Sequence, residues 1–571
     1  MNSIASLGVS ALFLAQSWAA PTNMSRCGDW TTREWDAIVV GAGTAGIIVA
    51  DRLSEAGLTT LLLEQGGPSY GITGGTERPA WLKDTDMSRV DVPGLYKSIF
   101  DGNTKLTCGP EVVSSTQACA IGGNSAINAG LYFQPPASDW DDYHPEGWHS
   151  SDVQPATDRL LQRQPPVTQY STDGDYYLQS GYEAARAWLT EKAGYKQVAF
   201  DEQPDEKENV FGRPVFNYID GQRGGPTRTY LQSALKRRNF HLQTGAAVDY
   251  IIQKGGQATG VHVTVDNQEK DIQLSASGRV ISSAGALLSP KLLMYSGIGP
   301  KDVLSDLAAA SRTPYTDPWS WVVNENVGQG LFDNPNTFIE LSGPSIESYT
   351  YSYADPPQED KELFLRSRSG PYTFASQTSA FWSYVNHEDG SRTGVQGTID
   401  SSGFSGFTNN HTITLNVYGT SGMLSAGRVV LSSDGKFTAG PSSDVYYSNP
   451  RDAHDIATFI HSIFQSLPAS TPDSPAEDDG LTPLNLPQSS TVDEIYEYIT
   501  TPSAYAVGAV QHWSSSCRLG TCVDGDTKVL GTENVHVVDA SIVSPLTVNP
   551  QFGIMVAAER GAEKILDSFG L

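Results

Sequence analysis

Leu7 to Leu14 is the first apolar run of the chain, followed by the small residues of Ser17-Trp18-Ala19-Ala20. A bilayer span needs about 20 apolar residues, so this run is too short to cross one. The sequence instead predicts a signal peptide over residues 1–20, cleaved after Ala19 or Ala20, and a secreted remainder, although no Lys or Arg precedes the run. The next pattern is β-branched: Asp36-Ala37-Ile38-Val39-Val40 reads as a buried strand. It runs into Gly41-Ala42-Gly43-Thr44-Ala45-Gly46, continues at helical period through Leu53, and returns as a second strand, Thr59 to Leu63, ending at Glu64.

Farther along, Gly278 to Ser283 reads as a later strand of the same sheet, and Tyr182 to Tyr195 as an amphipathic helix. Thr412 to Tyr418 alternates apolar and polar residues like a half-buried strand, and Arg428 to Leu431 is another strand pattern. Ile456, Phe459, Ile460, Ile463, Phe464 and Leu467 form one apolar helical face, which leaves His454 and His461 structural or exposed. Ala469 to Ser490, rich in Pro, Ser and Asp, reads as a surface loop.

Composition narrows the function. A chain of 571 residues exceeds what one core usually holds, so two or more domains are expected. With 37 Lys+Arg against 64 Asp+Glu the formal charge is −27, a surface that repels phosphate backbones and anionic membranes. Nucleic acid and membrane are therefore not expected partners. Of five cysteines, Cys108 lies near Cys119 and Cys517 near Cys522, which predicts two local disulfides and leaves Cys27 over. Neither pair nor any histidine shows metal-ligand spacing, so no metal is expected. Asn23-Met24-Ser25 and Asn410-His411-Thr412 are glycosylation sequons in a secreted chain.

The strand–glycine–helix–strand–acid unit is a dinucleotide fingerprint. Gly41 permits the tight turn, Gly43 lets backbone approach a pyrophosphate, Gly46 allows helix and strand to pack closely, and Glu64 takes ribose hydroxyls. The pyrophosphate then meets free amides at a helix N-terminus, including those of Thr44 and Ala45.

That fingerprint, with Gly122-Gly123-Asn124-Ser125-Ala126-Ile127-Asn128, Gly285 to Pro300, Asn326 to Pro335 and Val538-Asp539-Ala540 to Gln551, resembles the glucose-methanol-choline (GMC) flavin oxidoreductases over residues 34 to 570. Within the family the chain is most similar to the flavin domains of fungal cellobiose dehydrogenases, through Ala50 to Gly57, Glu208 to Gly212 and Gly221 to Pro226. No haem module is expected ahead of residue 30, so electrons would leave the flavin directly.

The resemblance implies an α/β fold with a Rossmann-like FAD-binding domain (33–140, 213–335 and 505–571) and a second, α+β substrate domain (141–212 and 336–504). It implies FAD held noncovalently by Gly41, Gly43, Thr44, Ala45, Gly46, Glu64, Asn124, Ala126, Asn128, Val248, Asp539 and Ala540. Asn124 and Asn128 also suit simple turn chemistry. By the same resemblance His512 is the catalytic base and Asn549 its neighbour. A neutral imidazole, ordinarily titrating near about 6.5, can take a hydroxyl proton as hydride leaves the carbinol carbon, whereas an amide can only hold the hydroxyl.

Glu208, Phe211, Gln511 and Val510 are the implied substrate contacts, a carboxylate and an aromatic ring suiting a sugar. Glu208 also reads as a solvated charge within the acidic run from Asp201. Val510-Gln511 and Ala426 depart from the Ser-Asn and Arg usual in the cellobiose dehydrogenases, which predicts a less polar or reshaped pocket. The expected activity is oxidation of a CH–OH group in a sugar or oligosaccharide, giving a lactone, with quinone, oxygen or a redox protein as electron acceptor. The alternatives are an oxygen-using oxidase, an enzyme for another alcohol of secondary metabolism, and a non-redox flavin-binding lyase or carbohydrate-binding module.

Overall fold

The computed structural model describes residues 29–100, 104–108, 115–432, 438–467 and 480–571. The signal-peptide segment, Cys27 and the sequon at Asn23 lie outside these residues, as does most of the expected surface loop after Ala469. Two sheets organise the described chain.

The first sheet holds the fingerprint. Strands β1 (Trp35–Val40) and β2 (Thr60–Leu63) lie parallel, joined by helix α1 (Thr44–Glu55), and β3 (Phe240–Gln243) extends the parallel set beyond β2. Strands β4 (Ala246–Lys254), β5 (Gln257–Val265) and β6 (Gln268–Ser282) form an antiparallel meander. The end of β6 passes into the parallel sheet between β1 and Val535–Val537. Ile38, Val39, Leu61, Leu62, Val280 and Ile281 are fully buried, as strands covered on both faces require. The C-terminal helix Gln551–Phe569 packs across α1, where Arg52 grips the buried Glu559 with two hydrogen bonds of 2.8 Å.

The second sheet is eight-stranded and almost wholly antiparallel. At its centre lie β7 (Pro335–Ser342), β8 (Gln377–Asn386), β9 (Arg392–Asp400) and β10 (Thr412–Gly419), in the order β7-β10-β9-β8, with β11 (Ala506–Ala509) also paired to β7. One face is apolar: Ile339, Leu341, Val395, Ile399, Ile413, Leu415 and Val417 pack with Ile456, Phe459, Ile460 and Ile463 of helix Pro450–Phe464. Helix Ser180–Arg186, widening into a π turn over Ala187–Lys192, and helix Val492–Thr500 complete this core.

Several elements differ from the sequence reading. Thr412 to Tyr418 alternates as expected, yet its polar face is buried too, because it lines an internal cavity and not bulk water. The described end of the Pro-rich stretch is no surface loop: Leu481 and Leu486 enter the second core, and Thr482–Pro483 pairs with β7. Two segments lie across the expected domain boundaries. Helix Ser150–Arg163 buries Val153, Ala156 and Leu160 in the first core, and β11 belongs to the second sheet. Cys108–Cys119 and Cys517–Cys522 are disulfides. Among the described residues no helix is long and apolar enough to cross a membrane, and no cluster of His, Cys, Asp or Glu could hold a metal ion.

Candidate active site

A single cavity of about 1490 Å³ runs from the glycine loop after β1 to the polar face of the second sheet. Its nucleotide end is shaped by absent side chains. Gly41 has φ +102°, and a Cβ there would stand 2.6 Å from the carbonyl oxygen of Ser283. A Cβ on Gly46 would lie 1.9 Å from the Gly41 carbonyl oxygen, and one on Gly123 2.7 Å from Gly43 Cα. Gly43 caps α1 with no side-chain bond to its first amides, which leaves them available to an anion. At the tip of β2 the Glu64 carboxylate accepts from Ala42 N (2.9 Å) and Gly66 N (2.8 Å), and its burial raises its pKa. A flat, phosphate-bridged dinucleotide fits this combination of glycine cradle, open helix end and ribose-level acid.

Of the other expected cofactor contacts, Thr44, Ala45, Asn124, Asn128, Val248, Asp539 and Ala540 all line the cavity. Gly46 and Ala126 do not; the first is a packing position and the second is buried beneath the wall. The amides of Asn124 and Asn128 are largely engaged by protein. Asn124 Oδ1 accepts from Ala118 N, while Asn128 donates to Gln551 Oε1 and accepts from Arg223 and Gly130 N. The Asp539 carboxylate ties down the turn after β6 by accepting from Gly285 N and Ser289 Oγ at 2.8 and 2.6 Å.

His512 and Asn549 meet at the opposite end. β11 delivers His512 and β7 delivers Asn334, since Pro335 pairs with Ala509 and Asn336 with Gly508. Asn334 Nδ2 donates to Gly419 O (2.7 Å), which orients the amide and turns Oδ1 toward His512 Nδ1 at 2.9 Å. An amide oxygen only accepts, so Nδ1 carries the proton and Nε2 keeps its lone pair. Nε2 has no hydrogen bond among the described residues. Desolvation lowers the His512 pKa to about 3, so the ring stays neutral.

The backbone of this segment is clamped by Asp333, whose carboxylate accepts from His512 N (2.7 Å), Gln511 N (3.2 Å) and the Tyr446 hydroxyl (2.6 Å). Across the cavity Asn549 Oδ1 accepts from Gln396 Nε2 (2.7 Å), which turns its NH₂ group toward the Tyr418 hydroxyl at 3.2 Å. The Tyr418 ring stands edge-on to His512 with centroids 6.1 Å apart.

The sheet face continues in two rungs of three residues. Asn336, Tyr418 and Gln396 form the rung nearest His512, and Phe338, Asn416 and Thr398 the next. Phe338 stacks on Phe404 at 4.8 Å, giving this polar wall one aromatic surface.

The expected substrate contacts are revised. Glu208 is exposed on the acidic run, and Phe211 is fully buried in the second core against Tyr182 at 5.3 Å. Asn209 (φ +49°) turns the chain between them, after which Phe211 is drawn inward by pairing with Phe381 in β8. Neither reaches the cavity. Val510 and Gln511 line it, but Gln511 Oε1 is occupied by Ser115 Oγ, Thr116 N and Trp513 Nε1 at 2.8, 2.9 and 3.0 Å. Ala426 is absent from the lining. Sequence reasoning passed over Asp333, Asn334 and Tyr418. The first two stand in the Asn326 to Pro335 motif without an assigned role, and Tyr418 sits on the polar side of an alternating strand.

Comparison with known proteins decides the family. GMC oxidoreductase models match residues 35–336 and 424–558. The chain belongs to the GMC oxidoreductases. This GMC oxidoreductase is 27% identical over 583 residues to the oxygen-dependent choline dehydrogenase of Pseudomonas syringae pv. tomato, covering 94% of each. It is 30% identical over 345 residues to that of Xanthomonas axonopodis pv. citri, covering 54% of this chain and 55% of the other. Its fold matches a formate oxidase variant of Aspergillus oryzae (TM-score 0.74, 18% identity, 94% and 98% of the chains) and a fungal aryl-alcohol oxidase (TM-score 0.69, 18%, 94% and 100%). It is an FAD-dependent oxidoreductase acting on CH–OH donors of alcohol type. These relatives show no closeness to the cellobiose dehydrogenases.

One prediction follows from the Asn334 amide. In Asn334→Asp a carboxylate would accept the Nδ1 proton and favour imidazolium, so the acid limb of kcat/KM should move up by about one pH unit or more. An unmoved limb would separate Asn334 from the protonation of His512.

Proposed function

We propose that this enzyme oxidises one CH–OH group of a neutral, hydroxyl-rich alcohol, with sugars or oligosaccharides as the best candidates and a lactone as the product from a reducing sugar. The observation that carries the reading is a bare Nε2 on a neutral His512, facing a wall of amides and hydroxyls. Bound FAD supplies the hydride acceptor. His512 Nε2 takes the hydroxyl proton, and its Nδ1–H, held by Asn334, keeps the ring in the reactive tautomer. Asn549 and Tyr418 hold the substrate oxygen at its angle of approach. Asn336 Oδ1, buried and without a partner among the described residues, offers an acceptor to a neighbouring hydroxyl. The test is an anaerobic panel of sugars and alcohols read by flavin bleaching; intact holoenzyme that no member reduces would sink the reading.

A second reading, an oxidase, is favoured by the formate and aryl-alcohol oxidase neighbours, whose activity is their own. Reoxidation of the reduced enzyme by air, with peroxide release, against quinone separates the two. Export is supported by the leader-like N-terminal pattern and by four cysteines paired in two disulfides.

The pH dependence has a definite sign. A base whose pKa is lowered from 6.5 to about 3 remains unprotonated as pH falls from 7 to 5, so no acid limb from His512 should appear in that interval. Proton-accepting capacity is lost only as pH approaches the lowered value. Stopped-flow flavin reduction across pH 4–8 (~4 units, set by the His range) checks this; a limb near the ordinary histidine value would contradict it.

A further inference from the structure

The polar face of the second sheet continues past the reacting end. Gln396, which holds Asn549, and Asp400 are both on β9, four residues apart and on the same face, or about 13 Å along the strand at ~3.3 Å per residue. At that far end Asp400 is enclosed by donors: Oδ2 accepts from Lys97 Nζ and Oδ1 from Gln377 Nε2, each at 2.8 Å. Gln377, Asp400 and Lys97 all line the cavity that contains His512.

Two features of this group point to a ligand. Gln377 is only 6% exposed, and its orientation is set because Nε2 donates to a carboxylate; Oε1 is then a buried acceptor with no partner among the described residues. The Lys97 side chain is 48% exposed and spends one of its three N–H donors on Asp400. The remaining N–H donors of Lys97 and the Asp400 carboxylate, an acceptor, therefore sit side by side, which is what a hydroxyl needs. Asp400 cancels the Lys97 charge, so an anionic ligand gains little here, and a cation would meet the ammonium. Between the two ends lie Thr398, Asn416 and the stacked Phe338–Phe404 pair, a surface for a ring with apolar C–H faces and hydroxyl edges.

We propose that Lys97, Gln377 and Asp400 form a second hydroxyl-binding subsite, making the preferred substrate an elongated neutral polyol of about two sugar rings, oxidised at the His512 end and held by hydroxyls at the other. This rests on the proposed oxidation of a hydroxyl-rich alcohol at His512.

The test compares a hexose with its α- and β-linked disaccharides in anaerobic flavin reduction, in wild type, Lys97→Met and Gln377→Leu. Equilibrium binding of a disaccharide analogue lacking the reacting hydroxyl is followed by flavin difference spectra. Wild type should prefer a disaccharide to the hexose in kcat/KM, and Lys97→Met should lower that preference by about 10-fold, through KM, with a matching loss of analogue affinity. Gln377→Leu should act in the same direction. Equal effects on hexose and disaccharide, or an undiminished preference in both variants, would overturn the subsite while leaving oxidation at His512 intact. Failure of all these sugars to bleach the flavin would overturn the subsite and the choice of sugars, and failure of the whole alcohol panel would overturn oxidation at His512 as well.

Discussion

His512→Ala should retain FAD and lose alcohol oxidation, with anaerobic flavin bleaching slowed by about 10²-fold or more. The size of the effect follows from the site. Among the described residues no other side chain near the reacting end is both neutral and basic: Asn549 is an amide, the Tyr418 hydroxyl is pushed well above its ordinary range by burial, and Asp333 is committed to the backbone of residues 511 and 512. Cofactor retention is expected because the nucleotide end is built from the glycine loop, Glu64 and β4, none of which contacts the imidazole. Rapid-scan absorbance reports both outcomes at once. A variant reduced as fast as wild type would remove His512 from proton transfer, whereas a colourless one would show that the imidazole supports the pocket itself.

Gly46→Ala should yield protein without flavin. Its Cβ would fall 1.9 Å from the Gly41 carbonyl oxygen, in the turn after β1, and 3.1 Å from Ser283 Cβ, just past the end of β6. Overpacking against side chains typically costs about 1–3 kcal/mol; here the nearest atom is backbone, so the glycine loop itself must move. Gly525→Ala is the matched control, with nothing within 4 Å of the added methyl. Visible absorbance and thermal unfolding of the two variants check the contrast. Gly46→Ala carrying a full complement of FAD at wild-type Tm would refute the packing argument.

Much of the nucleotide end is legible in the chain, because its requirements are local. A glycine at φ +102°, a glycine under a helix crossing and an acid at a strand tip leave their mark within two dozen residues. Both disulfides are equally local. The substrate end is different. Glu208 and Phe211 match a sugar-binding pattern, yet a turn at Asn209 and pairing with Phe381 send one to solvent and the other to the core. Alternation in Thr412 to Tyr418 identifies a strand but not what its polar side faces, and that side lines the cavity that also holds His512. The partnership of Asn334 with His512 depends on a strand pairing across 178 positions, which no local pattern records.

The clasp between Arg52 and Glu559 joins positions 507 residues apart, and Asn549 lies just ahead of the helix that bears Glu559. During translation, therefore, the glycine loop leaves the ribosome long before either the imidazole or the helix that closes behind it. The two ends of the reaction cavity can therefore be joined only after residues 512 and 549 have been made and brought back to the glycine loop.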